Sequence, residues 1–182
     1  LPCPDRTSGG AGAVGSNDYA NDGIEDYNTG TGVCFSTTLS GNVPWATLGL
    51  GASDSWGNRF RYRVTAAYAQ RSPAAPFNLS TVATLGVTAT SGGTLLTAAN
   101  PDGPVAVILS HGKNGYGAMN AQNNTARPNP TSADEIDNQG GLTYTSHPIT
   151  QVGSTAGEFD DIVTWLGKYT LFNRMIAAGR LP

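Results

Sequence analysis

The sequence predicts an α+β fold, in which an antiparallel sheet is followed by helices at one end. Residues 59–69 (RFRYRVTAAYA) alternate between apolar and basic side chains, which is the period of a half-buried strand. Residues 104–112 (PVAVILSHG) are almost continuously apolar, as expected for a central strand. Residues 158–179 place apolar side chains at steps of three and four, which predicts two short helices divided by Gly167, the second capped by Thr170.

Weaker patterns complete the predicted sheet. Residues 82–89 and, less clearly, 92–99 have strand character, and residues 141–149 predict an edge strand. Residues 112–141 are rich in Gly, Asn, Pro and Asp and predict a long loop that is displayed at the surface. Several large apolar side chains are assigned to the core: Trp45, Leu48, Leu50, Trp56 and Trp165.

The 182 residues are interpreted as one domain, 1–182, in three parts. Residues 1–42 form an irregular loop region with few apolar side chains. Residues 43–149 contain the sheet and the long loop, and residues 158–179 are the helical end.

The composition is that of a weakly charged protein. Charged residues make up 13% of the chain, against roughly 25% in an average domain. Glycine (24) and proline (11) are abundant, which indicates many turns and suits a protein outside the cytoplasm. The net charge of -3 predicts no nucleic-acid partner, because no basic patch is available to bind phosphates.

The two cysteines, Cys3 and Cys34, are too few for a structural zinc site with four ligands. A disulfide between them is the simplest interpretation, and two buried free thiols are the alternative. A disulfide predicts an oxidising compartment, either the periplasm or the cell exterior.

The sequence predicts no enzymatic activity. Ser110 and His111 are adjacent at the end of a strand, where neighbouring side chains point in opposite directions. A nucleophile and its base must converge, so this pair does not suit covalent catalysis. An extracellular hydrolase would require a convergent Ser/His/Asp set that the sequence does not offer.

Two acidic stretches are candidate calcium sites, since calcium binds oxygen ligands grouped around a sharp turn. Residues 17–26 (NDYANDGIED) offer four candidate ligands, although Ala20 occupies one ligand position. These ligands are Asp18, Asn21, Asp22 and Glu25. Residues 132–137 (SADEID), taken with Glu158, Asp160 and Asp161, form the second group. Solvated turns are the alternative for both groups.

Arg59, Arg61 and Arg63 lie on one face of the first predicted strand. They are interpreted as a solvated basic face or as a contact with a subunit or an anionic partner.

Five stretches in order resemble the exported domains of type IV pilin-like proteins, including the pseudopilins of type II secretion. They are LPCPD, VPWATLGL, DSWGNRFRYRV, ILSHGKNGYGA and FDDIVTWL. Trp56, Gly57, Asn58 and Tyr62 match a W-G-N-x-x-x-Y strand of the family. Asp160, Asp161, Ile162 and Trp165 match a late acidic segment.

The resemblance implies a pilin-like fold and a structural subunit of a type IV pilus or a related secretion filament in a Gram-negative bacterium. It implies a long N-terminal helix that lies in the inner membrane and later forms the filament core. We expect that this helix is missing before Leu1, and that the sheet face it covers is left as an exposed apolar patch. The implied partners are other pilin subunits, and the location is the periplasm and the cell surface.

Two further expectations follow from the resemblance. The late acidic loop of major pseudopilins can hold calcium, and Asp160 and Asp161 match it in place. The alternative to a filament subunit is a minor or tip pilin that acts as an adhesin or binds a partner.

Overall fold

The computed structural model describes residues 1–8, 19–35, 39–155 and 157–180. The larger sheet consists of four antiparallel strands: β1 (Ser40–Asn42), β2 (Arg61–Val64), β4 (Pro104–Ser110) and β6 (Ile162–Gly167). Two parallel strands form the smaller sheet: β3 (Gly86–Thr88) and β5 (Thr143–Thr145). The helices are short: α1 (Trp45–Leu48), α2 (Ala133–Asp137) and α3 (Lys168–Ala177). This mixed architecture with an antiparallel main sheet confirms the predicted α+β class.

Strand β4 is the centre of the larger sheet, whose order is β1-β2-β4-β6. Six of its seven residues are buried, which confirms the central strand that its apolar run predicts. From Ala106 onward its side chains alternate between two cores, because successive residues of a strand face opposite sides of a sheet. Ala106 packs with Tyr62 and Phe172 on one side, while Val107 and Leu109 pack on the other.

The smaller sheet covers the second side of β4. Leu85, Val87 and Tyr144 are each 1% exposed or less and pack against Val107 and Leu109. The predicted edge strand within 141–149 therefore exists as β5, but it pairs in parallel with β3 in a separate sheet.

The C-terminal segment departs from the predicted helix pair. Its first half is strand β6, which pairs with β4 from Ile162 to Gly167, and only its second half is helical. Gly167 is the boundary between strand and helix, and Thr170 lies inside α3 rather than at its cap. The β-branched run Ile162–Thr164 favours a strand, and pairing with a buried strand overrides the helical spacing of the apolar residues.

Several assignments to strand or core were wrong. Residues 92–99 contain no strand, and Leu95 makes one isolated bridge to Thr88. Leu48 and Leu50 are 45% and 57% exposed, because α1 ends after a single turn at Gly49, whose φ is 67°. Three large side chains assigned to the core are half-buried or exposed: Trp45, Trp56 and Trp165.

The long loop 112–141 is not entirely irregular, since α2 lies within it.

No helix among the described residues is both long and apolar enough to cross a membrane.

A disulfide joins Cys3 to Cys34 across a sequence separation of 31 residues, as the sequence predicts. The Glu25 carboxylate adds a polar contact beside it, accepting hydrogen bonds from the Cys3 backbone N–H and from Arg71 Nε, both at 3.1 Å. A covalent bond and an ion pair thus hold this part of the chain beside the core cluster to which Cys3 belongs. Residues 9–18 and 36–38 of the predicted loop region lie outside the described residues.

We predict that the double variant Cys3→Ser/Cys34→Ser lowers the free energy of unfolding by about 3–4 kcal/mol, because the unfolded chain regains the entropy of a loop of this length. Guanidinium unfolding without reductant measures the difference. Cys3→Ala/Cys34→Ala is the matched control, since it separates loss of the bond from the polarity of serine. A loss under about 1 kcal/mol in both variants would show that the bond does not stabilise the domain.

Candidate functional site

Three carboxylates meet where β4 ends and β6 begins. Because the two strands are antiparallel neighbours, Asp160 and Asp161, which precede β6, lie beside the residues that follow β4. Helix α2 brings Glu135 to the same place from the long loop. One carboxylate oxygen from each of the three residues lies within 4.8 Å of the others.

Each carboxylate has one oxygen that accepts a hydrogen bond from the protein. Glu135 Oε1 accepts from Asn114 Nδ2 at 3.0 Å, and Asp160 Oδ2 accepts from the Asn114 backbone N–H at 2.8 Å. Asp161 Oδ2 accepts from Asn138 Nδ2, also at 2.8 Å. These bonds fix the orientation of all three side chains.

The other oxygen of each carboxylate is buried and makes no hydrogen bond within the described chain: Glu135 Oε2, Asp160 Oδ1 and Asp161 Oδ1. Glu135 is only 1% exposed. Buried oxygens without partners are costly, and several close together repel one another when ionised. The cluster therefore favours either a bound cation or a bound proton.

Two carboxyl groups of this cluster, those of Glu135 and Asp160, have raised pKa values. Burial, together with the nearby Asp161 charge, raises the pKa of Glu135 to about 7, and the hydrogen bond from Asn114 limits the rise. Burial also raises the pKa of Asp160.

His111 lies behind the cluster and is fully buried. Arg61 Nε donates to His111 Nε2 at 3.2 Å, and an arginine can only donate, so this ring nitrogen must accept. The proton of the neutral ring is then on Nδ1, which lies 3.4 Å from Asp161 Oδ1. A protonated nitrogen cannot ligate a metal, so the ring positions Asp161 and leaves a donor set made of oxygen.

Three carboxylates fit a hard cation, and two of them, Glu135 and Asp160, have a buried oxygen that no donor of the described chain faces. Calcium takes six to eight oxygen ligands and tolerates irregular geometry, whereas zinc sites prefer nitrogen and sulfur. Glu135, Asp160 and Asp161 would supply the protein ligands. Part of the second acidic group therefore converges. Glu135, Asp160 and Asp161 belong to the cluster, and Glu158 does not.

The first candidate calcium loop has a different arrangement. Asn21 Oδ1 accepts from Asn42 Nδ2, and Asp22 Oδ1 accepts from the backbone N–H of Ile24. Glu25 pairs with Arg71, and Asp18 lies outside the described residues. Each described candidate ligand of this loop therefore has a side-chain oxygen that is used in an intramolecular contact.

Ser110 and His111 do not form a nucleophile and base. The Ser110 hydroxyl donates to Asp54 Oδ2 at 2.6 Å, while the histidine ring faces Arg61 and Asp161. The absence of enzymatic activity stays a prediction.

The arginine face is turned inward, so the prediction of a solvated face is wrong. Arg61 and Arg63 donate to the carbonyl groups of Gly117 and Gly140 at 3.0 and 2.7 Å. Arg59 is 7% exposed and stacks 3.6 Å from the centre of an indole ring. The side chains attach the long loop to the sheet, and a subunit contact through them stays a prediction.

A separate groove crosses the sheet on the side of Tyr62. Strands β2, β4 and β6 form its floor, helix α1 contributes Leu48, and its volume is about 270 Å³. Its main apolar lining consists of Leu1, Pro2, Leu48, Tyr62, Ile108 and Leu166. No Asp, Glu, Lys or Arg lines it.

A scan against protein-family models finds no matching family, and searches of curated proteins and of solved structures find no match.

We predict that calcium stabilises the folded protein through Glu135. At a free calcium concentration a hundredfold above the dissociation constant, the gain is about 2.7 kcal/mol. Glu135→Gln keeps the shape of the side chain but removes a ligand charge, so it weakens binding by about tenfold or more. Thermal unfolding with calcium or chelator measures both effects. Asp22→Asn is the control, and a loss of the calcium effect in this variant alone would move the site to the first acidic loop.

We predict that Glu135 makes the calcium-free protein less stable as the pH rises from about 4.5 to about 7. The pKa of Glu135 is raised on folding to about 7, so the folded state holds its proton over this interval while the unfolded state releases it. Glu135→Gln removes this contribution and flattens the profile. Denaturant unfolding at several pH values in chelator measures the slope, and parallel profiles for the two proteins would contradict the assignment.

Proposed function

We propose that the protein is a structural subunit of a type IV pilus or a related secretion filament, with a pilin-like fold. The observation that supports this proposal best is the apolar groove on the main sheet. In such a filament the sheet packs against an apolar helix of the core, and this domain coats the core. The function is mechanical, with no bond chemistry.

The groove has the properties that an apolar helix requires of its partner. Tyr62 and Ile108 form its floor and Leu48 one wall. A helix with an apolar stripe gains about 25 cal/mol for each Å² of apolar surface that it buries, so an uncharged groove on a rigid sheet suits it. This groove is our candidate for the apolar sheet face that the family resemblance expects a helix to cover.

The disulfide supports the same proposal. Cys3 and Pro2 are adjacent, so the bond between Cys3 and Cys34 holds one end of the groove close to the sheet. We infer that it resists unravelling when the filament is pulled. The proposed location is the periplasm before assembly, with an inner-membrane anchor, and the cell surface afterwards; the proposed partners are other pilin subunits.

We predict that Leu48→Glu abolishes filament formation while leaving the domain folded. Leu48 lines the groove but is 45% exposed, so a charge there is tolerated in the free domain and becomes costly once a helix covers it. The measurement is the amount of protein in filaments sheared from bacteria that express the variant, quantified by immunoblot and by electron microscopy.

Leu50→Glu is the matched control, because Leu50 is only two residues away, is 57% exposed and does not line the groove. The proposal expects filaments from Leu50→Glu and from the unchanged protein, but not from Leu48→Glu. Equal filament yields from the two variants would show that the groove takes no part in assembly. An absence of filaments in all strains would contradict the filament function itself.

A further inference from the structure

A small pocket, here called the aromatic pocket, lies at one end of the main sheet. It forms where β4 begins and β6 ends, since Pro104 and Gly167 are partners in the sheet and both line it. Its side chains come from the end of β6, the start of α3 and the segment before β4: Thr97, Asp102, Trp165, Lys168, Tyr169 and Thr170. The carboxylate cluster lies at the opposite end of the same two strands, so the pocket is a separate site.

Two aromatic side chains of the pocket are open to solvent. Tyr169 is 59% exposed and Trp165 is 39% exposed. The face of an aromatic ring carries partial negative charge, which attracts the weakly positive C–H groups of a ligand. The pocket therefore favours a ligand that has a face of C–H groups.

The charged groups of the pocket are already paired with each other. Lys168 Nζ donates to Asp102 Oδ1 at 2.8 Å, and the carboxylate stays accessible, since the Asp102 side chain is 38% exposed. Among the described residues, these two are the only charged ones that line the pocket, so its net charge is zero. An ionic ligand would meet an opposite charge that is already neutralised. A wholly apolar ligand would remove water from the carboxylate without replacing its hydrogen bonds, which is costly.

A neutral ligand that carries several hydroxyl groups meets these requirements. Its hydroxyl groups can donate to the Asp102 carboxylate while its C–H face packs on the two aromatic rings. Aromatic walls with a few placed polar groups are typical of small-molecule sites. The pocket has a volume of about 170 Å³, which is the space of about six water molecules and suits one pyranose ring.

We propose that the aromatic pocket binds a neutral hexopyranose unit of a glycan, with the sugar ring against Tyr169 and Trp165 and its hydroxyl groups on Asp102. The inference goes beyond the proposed function, because a carbohydrate site does not depend on filament assembly. Trp165 also lines the apolar groove on the main sheet, whereas Tyr169 lines the aromatic pocket and not that groove. Tyr169 is therefore the side chain that tests the pocket by itself.

The test is NMR titration of the purified protein with three neutral sugars: methyl β-D-glucopyranoside, methyl β-D-galactopyranoside and methyl α-D-mannopyranoside. The chain has three tryptophans, so their indole N–H signals report on three places. We expect at least one glycoside to shift the Trp165 signal and to leave those of Trp45 and Trp56 unchanged. The expected dissociation constant is millimolar, since a single sugar ring offers few atoms for binding.

Acetate and tetramethylammonium are the charged probes. A shift of the Trp165 signal by either ion, with no shift by any glycoside, would overturn the assignment of a neutral ligand. No shift by any of the probes would overturn the site itself.

A pair of tyrosine variants locates the binding. Tyr169→Ala removes one ring and is expected to weaken glycoside binding by about threefold to tenfold, whereas Tyr169→Phe keeps the ring and retains most of the binding. Tyr19→Ala is the matched control, since Tyr19 is 55% exposed and does not line the pocket. Unchanged binding in Tyr169→Ala, or equal weakening in Tyr19→Ala, would contradict the proposal. Because binding is measured on the purified protein, its failure is distinguishable from a failure to form filaments.

Discussion

The hydrogen-bonded pairing of β4 with β2 on one side and β6 on the other is the constraint on which the rest of the structure depends. It requires an uncharged strand, since both faces of β4 are covered by packed side chains. It also determines which ends of the strands lie side by side. The turn after β4 lies beside the residues before β6, and this juxtaposition creates the carboxylate cluster. The apolar groove is formed by the same three strands, so the candidate cation site and the proposed assembly surface share one rigid support.

Arg61 connects these regions through a short series of polar contacts. Its guanidinium donates to His111 and to the long loop, and the histidine ring in turn lies against Asp161. Because arginine keeps its charge at all ordinary pH values, it holds the histidine proton on the side of the carboxylates. Asp161 is itself a member of the carboxylate cluster, so this series of contacts joins the cluster to the long loop.

The sequence predicted the parts of the fold that depend on local pattern. Alternation located β2, and the apolar run located β4, because a buried strand needs those side chains whatever its neighbours are. The apolar spacing of the β6 segment predicts a helix, and pairing with β4, which the sequence does not reveal, makes it a strand. The acidic stretches were recognised as candidates, but the selection of Glu135 over Glu158 depends on a contact between distant segments. The sequence predicts a solvated position for Arg61 and Arg63, because the loop that covers them has no periodic pattern.

Strand β6 passes into α3 without an intervening loop, and this continuity has a mechanical consequence. A force that pulls the chain at Gly167 along the axis of β6 acts parallel to the strand and perpendicular to its hydrogen bonds with β4. Under such shear loading, all the bonds of the ladder must give way together, whereas a force applied across the strands would open them one after another. The pairing of β6 with β4 therefore resists a pull along β6 at Gly167 better than a pull across the strands.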